Sequence, residues 1–63
     1  MQFYIELTRT DGVTTEVVYR TPVDEVSVAR AKTKAAALLS LYAGRGANGA
    51  RVLNDKSEEI CRF

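Results

Sequence analysis

Residues 22–43, PVDEVSVARAKTKAAALLSLYA, carry the only long helical pattern in this chain. Apolar residues recur there at alternating spacings of three and four, the period of one face of an α-helix. These residues are Val28, Ala31, Ala35, Leu38 and Tyr42, with Ala36 and Leu39 beside them. The stretch predicts a single helix whose apolar face packs against the rest of the protein.

Capping residues predict where this helix begins and ends. Thr21, Pro22 and Asp24 match the N-cap, the first position and the acidic third position of a capping box. Gly44 follows the last apolar residue and fits the glycine that ends many helices. We therefore expect the helix to span residues 22–43.

The residues before the helix predict a β-hairpin. Apolar and polar residues alternate in the first strand, residues 2–9, and the second strand, residues 13–20, is rich in Thr, Val and Tyr. Thr10-Asp11-Gly12 suits a three-residue loop that ends on a glycine with positive φ. This loop predicts a register in which Phe3 faces Tyr19. It also predicts that Gly12→Val is more harmful than Gly46→Val.

Two shorter strands are predicted after the helix, at residues 50–54 and 58–63. The turn between them is Asn54-Asp55-Lys56-Ser57. We expect Val52 and Ile60 to reach the core, together with Phe63 or Leu53. The whole chain, residues 1–63, is then one small α+β domain with the order ββαββ. It has a four-stranded antiparallel sheet with one helix packed on one face.

Size and composition exclude several classes of protein. A domain of 63 residues buries only about 60% of the surface of its unfolded chain, so it needs tight packing or a homodimer. Histidine is absent and Cys61 is the only cysteine, so we expect no metal, no cofactor and no internal disulfide. Histidine is also the commonest general acid–base residue, and Cys61 is expected to be a buried, inert thiol. The sequence therefore predicts a protein that is not an enzyme.

The chain shows no membrane or export signal. The first residues lack the basic and apolar regions of a signal peptide. No apolar run approaches the roughly 20 residues that span a bilayer. An unpaired thiol fits a reducing compartment, so the predicted location is the cytoplasm, with no membrane partner.

The charges are unevenly distributed although the formal net charge is only +1. Between Val26 and Asn54 there are five basic residues and no acidic one. Of these, Arg30 and Lys34 share a helix face, and Arg45 and Arg51 lie in or beside a glycine-rich loop, residues 44–51. Clustered positive charge attracts anionic partners, so these four residues are the candidate partner- or anion-binding site. We expect Arg45 and Arg51 to be exposed on a mobile loop and to flank one surface, with no role in folding.

Alternative interpretations of these features stay open. The glycine-rich loop contacts phosphate groups, or it is only a helix-ending glycine and a connection back to the sheet. The helix cations contact a nucleic-acid backbone, or they form a solvated face. Exposed apolar residues form an interface, or they are scattered over the surface. The candidates for such an interface are Tyr4 and Val18, expected side by side on the uncovered sheet face, and Val26 and Leu41 on the helix side.

The size and the strand-and-helix order resemble those of some phage-encoded inhibitors of CRISPR immunity. The resemblance covers general architecture and rests on no motif, so it transfers no functional residue. It implies a small accessory or inhibitor protein that binds another protein. This is the function that the sequence favours, and a nucleic-acid-binding module is the alternative.

Overall fold

A computed structural model describes all 63 residues. The elements in chain order are β1 (Gln2–Asp11), β2 (Thr14–Asp24), α1 (Val28–Tyr42), a 3-10 turn (Ala43–Arg45), β3 (Gly49–Leu53) and β4 (Glu59–Arg62). The strands form one sheet in the order β2-β1-β3-β4, and every neighbouring pair is antiparallel. The predicted ββαββ, α+β fold with one helix on one face is confirmed. The helix is too short and too polar to cross a membrane.

The core lies between α1 and the inner face of the sheet. Phe3, Ile5 and Leu7 form the inner face of β1, and each is at most 3% exposed. Ala31 and Ala35 are the buried residues of the helix. The other buried apolar residues of this cluster are Val23, Ala47, Ala50 and Val52, and the predicted helix residues Val28, Leu38 and Tyr42 pack against it from partly exposed positions. The predicted inner faces of β1 and α1 are thus confirmed.

The first hairpin has a tighter turn than predicted. Asp11 pairs with Thr14, so the turn consists of two residues, Gly12 and Val13, and not of a three-residue loop. Gly12 has φ 64°, whereas Val13 has an ordinary negative φ. Glycine at the first central position is typical of a type II′ turn, whose twist matches that of the flanking strands.

The register of this hairpin also differs from the prediction. A bulge inserts Val18 as an extra residue after Val17, which pairs with Thr8. Beyond the bulge, Phe3 faces Val23 instead of Tyr19. This register is favoured because it brings a second apolar side chain, only 7% exposed, into the core opposite Phe3.

The predicted start of the helix is wrong. β2 continues to Asp24, and α1 begins at Val28 with Ser27 as its N-cap. The Ser27 Oγ accepts a hydrogen bond from the backbone N–H of Arg30 at 3.3 Å. Thr21 and Pro22, which resemble a helix start in the sequence, therefore belong to a strand.

Pro22 is tolerated in β2 because it faces the open edge of the sheet. Met1 and Glu25 exchange two backbone hydrogen bonds, of 3.0 and 2.8 Å. Hydrogen-bonded and non-bonded pairs alternate along an antiparallel ladder, so Val23 directs its backbone groups to β1 and Pro22 directs its own outward. The missing N–H of Pro22 thus removes no bond from the sheet.

Gly46, and not Gly44, ends the helical segment. The chain passes from α1 into the 3-10 turn, and the Gly46 N–H then donates to the carbonyl of Ala43 at 3.2 Å. Gly46 has φ 100°, a conformation that other residues adopt only with strain. A Cβ at this position would lie 3.4 Å from Cδ of Arg9.

These geometries support the predicted ranking of the two glycine variants. We expect Gly12→Val to lower the melting temperature more than Gly46→Val. The first central position of a type II′ turn is open almost only to glycine, and a β-branched residue is strongly disfavoured there although a Cβ meets open space. Gly46 is also strained by substitution, but it lies in the left-handed helical region, and the Arg9 side chain that its Cβ would meet is flexible. A difference of ~1 kcal/mol corresponds to roughly 4–8 °C in a domain of this size. Thermal unfolding followed by circular dichroism measures it, and a lower melting temperature for Gly46→Val would contradict the assigned turns.

The second hairpin matches the prediction except for one residue. Asn54-Asp55-Lys56-Ser57 forms the turn, and the Asn54 side chain accepts two backbone hydrogen bonds there, both of 2.9 Å. The predicted burial of Ile60 is wrong, because it is 38% exposed. A bulge in the pairing of β3 with β4 places Cys61 opposite Val52, and Cys61 packs against the core in its stead.

Candidate functional site

An open groove lies between α1 and β4 on the helix side of the sheet. Its volume is about 600 Å³. Its lining is apolar except for two residues, and consists of Ala36, Leu39, Ser40, Ala43, Ala47, Asn48 and Phe63. We call this feature the α1–β4 groove.

The groove exists because one helix cannot cover four strands. α1 packs against β1 and β3. Neighbouring strands are about 4.8 Å apart and a helix is about 10 Å wide, so the inner side of β4 stays uncovered. Phe63 borders this open space, and its N–H donates to the carbonyl of Ala50 at 2.8 Å. This bond continues the pairing of β4 with β3 beyond Arg62. Phe63 is 47% exposed because no helix covers this side of β4.

The helix wall of the groove is a second apolar stripe beside the core stripe. Ala36, Leu39 and Ala43 follow one another at spacings of three and four, so they share one side of α1. The side chains of Ala36, Ser40 and Ala43 are small, so another segment can approach the helix backbone closely. Lys32 lies on the same side, one turn before Ala36.

Asn48, one of the groove residues, is held in place by β1. Its side chain pairs with the backbone of Thr10 as a neighbouring strand would. The Asn48 Oδ1 accepts from the Thr10 N–H at 2.9 Å, and its Nδ2 donates to the Thr10 carbonyl at 3.0 Å. The Asn48 N–H also donates to the carbonyl of Thr8 at 2.9 Å. The glycine-rich connection is therefore anchored to β1 at Asn48.

The charges that the helix layer presents are all positive. Five basic residues form ion pairs with carboxylates of the protein: Arg9, Arg20, Lys34, Arg51 and Arg62. Arg30, Lys32 and Arg45 are exposed and have no carboxylate partner. The carboxylates without a cation lie in or beside the two hairpin turns, at Asp11, Asp55 and Glu58. Of the three unpaired cations, Lys32 is the one on the groove side of α1, one turn before Ala36.

The outer face of the sheet is centred on a buried carboxylate. The Glu6 side chain is only 6% exposed and lies on the middle strand between two arginines. One carboxylate oxygen accepts from Arg20 at 2.8 Å, and the other accepts from Nε of Arg51 at 2.6 Å. Each arginine is on a neighbouring strand directly opposite Glu6. This arrangement neutralises a charge that burial would otherwise disfavour.

Arg20 also covers the apolar part of this face. Its guanidinium lies 4.6 Å from the centre of the Tyr4 ring and donates to Oγ of Ser57 at 3.3 Å. Tyr4 pairs with Leu53, which is 6% exposed although no helix lies over it. On the sheet face without a helix, the side chains therefore shield one another from solvent, and no open apolar patch forms around Tyr4.

Arg62 and Glu59 extend the charge network along β4. Arg62 donates to both oxygens of Glu59, at 3.0 and 2.9 Å. These hydrogen bonds lower the pKa of Glu59 below its ordinary value, and the same contact raises the pKa of Arg62. The ion pair between Glu59 and Arg62 stabilises the fold above pH 4.5, the ordinary pKa of Glu59. This stabilisation is lost as the pH falls through the lowered pKa of the folded state. It is a small effect because the pair is exposed to solvent.

A polar depression of about 440 Å³ lies beside this network. Hydroxyl groups of Thr8, Thr10 and Thr15 and the guanidinium groups of Arg51 and Arg62 line it. Both arginines already bind carboxylates of the protein itself. The depression is therefore a weaker candidate for an anion site than its residue types suggest.

The structure does not bring the four predicted basic residues together. Arg51 lies on the outer sheet face and is partly buried against Glu6. Arg45 lies on the helix side, 5.5 Å from the centre of the Tyr42 ring. The prediction that these two arginines flank one surface and are both exposed is therefore wrong. Arg30 and Lys34 do share one side of α1, where the Lys34 Nζ is 3.6 Å from a Glu25 carboxylate oxygen.

The predicted apolar interface residues are also spread out. Tyr4 pairs with Pro22, and Val18 is the extra residue of the bulge, so the two are not side by side as expected. Val26 and Leu41 are 79% and 75% exposed. They lie near opposite ends of α1, which by helix rise separates them by roughly 20 Å. No pair of these four residues forms a continuous patch.

Both edges of the sheet resist the addition of a further strand. β2 has Pro22 and a bulge at Val18 on its free side, and β4 is only four residues long with a bulge of its own. Such features are the usual protection of edge strands. A partner is therefore expected to bind a face of this molecule and not an edge.

The sequence does not predict a binding surface at the groove residues Ala43, Ala47 and Phe63. One feature of the sequence points to it: the apolar sector of α1 is wider than one side of a sheet can bury. No three side chains of the metal-ligating types come together anywhere in the chain. Neither family models, curated protein sequences nor solved structures give a match to this chain.

Proposed function

We propose that this is a small non-enzymatic interaction protein, an accessory or inhibitor, that binds a partner protein through the α1–β4 groove. The observation that carries the proposal is the groove itself. Five of its seven lining residues are hydrophobic, and all of these except the buried Ala47 keep part of their surface open to solvent. Open concave apolar surfaces on small domains are typical of binding sites.

The groove is a better candidate than the outer sheet face for an energetic reason. On the outer face, Glu6, Arg20, Arg51, Glu59 and Arg62 satisfy one another. A partner would have to compete with these internal pairs to gain from their charges. In the groove, burial of apolar surface releases water and breaks no internal bond, and each Å² buried contributes about 25 cal/mol before the costs of association.

A nucleic-acid-binding role has less support. Binding to a phosphate backbone needs several cations on one surface. Arg51 lies on the opposite side of the sheet from Arg45, and Lys32 lies on the opposite side of the helix from Arg30.

The unpaired thiol of Cys61 favours a reducing compartment, and we propose that the protein acts in the cytoplasm.

Two neighbouring alanines provide a matched test. Ala36 and Ala37 are both exposed on α1, but only Ala36 lines the groove. We expect Ala36→Glu to weaken partner binding at least about tenfold, because it places a large charged side chain in an apolar contact. Ala37→Glu makes the same change of charge outside the groove and should bind normally.

The measurement is capture of host-lysate proteins on the immobilised parent and on each variant, read by mass spectrometry. Circular dichroism checks that both variants fold, which we expect because glutamate is a good helix former at exposed positions. If Ala36→Glu captures the same partner as strongly as the parent, the groove is not the binding site.

A further inference from the structure

We infer that the occupant of the α1–β4 groove is an amphipathic α-helix of the partner protein whose polar side is acidic. This inference rests on the proposed function and adds the kind of partner that the groove accepts. It follows from the shape of the groove, from the size of its side chains and from the charges around it.

The shape of the groove matches the place of a missing second helix. α1 lies over β1 and β3, so a parallel or antiparallel helix beside it would lie over β4. Packed helices are about 8–10 Å apart, and the shorter distances need small residues at the contact. Ala36, Ser40 and Ala43 present such small side chains to the groove. Leu39 and Phe63 supply the larger apolar walls on which the partner's apolar side chains pack.

The length of the wall sets the length of the contact. From Lys32 to Ala43 the helix advances by roughly 17 Å, or about three turns. A partner helix that follows this wall therefore presents apolar residues at i, i+3 or i+4, and i+7.

The charges around the groove select an acidic helix. Lys32 lies on the groove side of α1 and has no ion-pair partner, whereas Arg30 lies on the opposite side of the helix. The unpaired carboxylates of the protein lie in or beside the hairpin turns. Glutamate or aspartate flanking the apolar stripe of the partner helix would therefore pair with Lys32.

The same charges argue against a second copy of this chain as the occupant. The helix that a second copy would insert is α1, and the charged residues along α1 are Arg30, Lys32 and Lys34. Only Lys34 has a carboxylate partner, at 3.6 Å. Two such helices side by side would repel each other, whereas an acidic helix is attracted.

The inference is tested with three fluorescein-labelled synthetic peptides of about 18 residues, long enough to form helix. The first has a Leu/Ala stripe with Glu flanks, the second has the same stripe with Lys flanks, and the third has the composition of the first with the stripe scrambled. Fluorescence anisotropy measures their binding to the full chain. We expect the acidic peptide to bind at least about tenfold more tightly than the basic one, and the scrambled peptide not to bind.

Two pairs of variants locate the binding site. Ala36→Glu should abolish binding of the acidic peptide, and Ala37→Glu should not. Lys32→Glu should weaken it by roughly fivefold, whereas Arg30→Glu, on the opposite side of α1, should change it by less than about twofold. This pattern supports both the groove and the charge preference.

Other outcomes overturn the inference in distinguishable ways. If the acidic and basic peptides bind equally and Ala36→Glu blocks both, the groove is the site but the acidic preference is wrong. If no peptide binds while lysate capture still depends on Ala36, the proposed function stands and the helical occupant is wrong. If analytical ultracentrifugation shows a dimer that Ala36→Glu dissociates, a second copy is the occupant. If capture is insensitive to Ala36→Glu, the proposed function fails as well.

Discussion

Leu7→Ala is expected to leave the protein only marginally stable at room temperature. Leu7 is fully buried on the central strand β1, with Tyr19 opposite it on β2 and Ala50 opposite it on β3. Truncating a buried leucine costs ~2–5 kcal/mol. A single core in a domain of this size rarely supplies more than about 3–5 kcal/mol, so little stability remains. Urea unfolding followed by circular dichroism gives the free energy of unfolding.

Two other leucines serve as controls for this prediction. Leu38 packs against the core but is partly exposed, so Leu38→Ala should cost less than Leu7→Ala. Leu41 is 75% exposed, and Leu41→Ala should change the free energy of unfolding by less than about 0.5 kcal/mol. An equal loss of stability for Leu7→Ala and Leu41→Ala would contradict the assigned core, because it would mean that Leu41 is as important for packing as Leu7.

Arg51→Glu is expected to be almost as destabilising as Leu7→Ala. The substitution removes the 2.6 Å contact to Glu6 and places a third carboxylate between Glu6 and Glu59. Removing one partner of a fully buried pair costs about 3–5 kcal/mol, and we expect about 2–3 kcal/mol here because the Arg51 side chain is 33% exposed. The free energy of unfolding from urea titration tests this value.

Arg45→Glu is the matched control, because it makes the same charge change at an exposed position near Arg51 in the sequence. Arg45 is exposed and has no ion pair, so this variant should melt within a few degrees of the parent. Arg51→Met should fall between the two, since it leaves Glu6 bound to Arg20 and adds no negative charge. If Arg51→Glu melts like Arg45→Glu, the Glu6 network does not stabilise the fold.

The sequence predicted the fold class because its strongest signals are local. The alternation in β1 and the helical stripe around Ala31 and Ala35 each reflect one buried face. The errors arose where local signals conflicted with tertiary packing. Thr21 and Pro22 form a good helix start by themselves, but burial of Val23 opposite Phe3 and a free sheet edge at Pro22 favour the strand.

The candidate site was harder to predict because it depends on strand order. Nothing local to Glu6, Arg20 or Arg51 shows that they meet, since the three residues come from separate strands. The α1–β4 groove likewise appears only when β4 is placed beside β3 and beyond the reach of α1. For this reason the sequence predicts Arg51 as an exposed cation and leaves open whether Phe63 or Leu53 is buried, whereas in the structure Leu53 is buried and Phe63 is half-exposed.

The central position of β1 has a consequence for how the chain reaches its fold. Each hairpin can close through contacts near in sequence, but the two meet only when β1 finds β3, from opposite ends of the chain. Closing so long a loop costs entropy before the new contacts repay it, and this step is expected to limit the folding rate. Substitutions along that seam, at Ile5 or Val52, should slow folding. Substitutions in the outer strands β2 and β4 should instead speed unfolding.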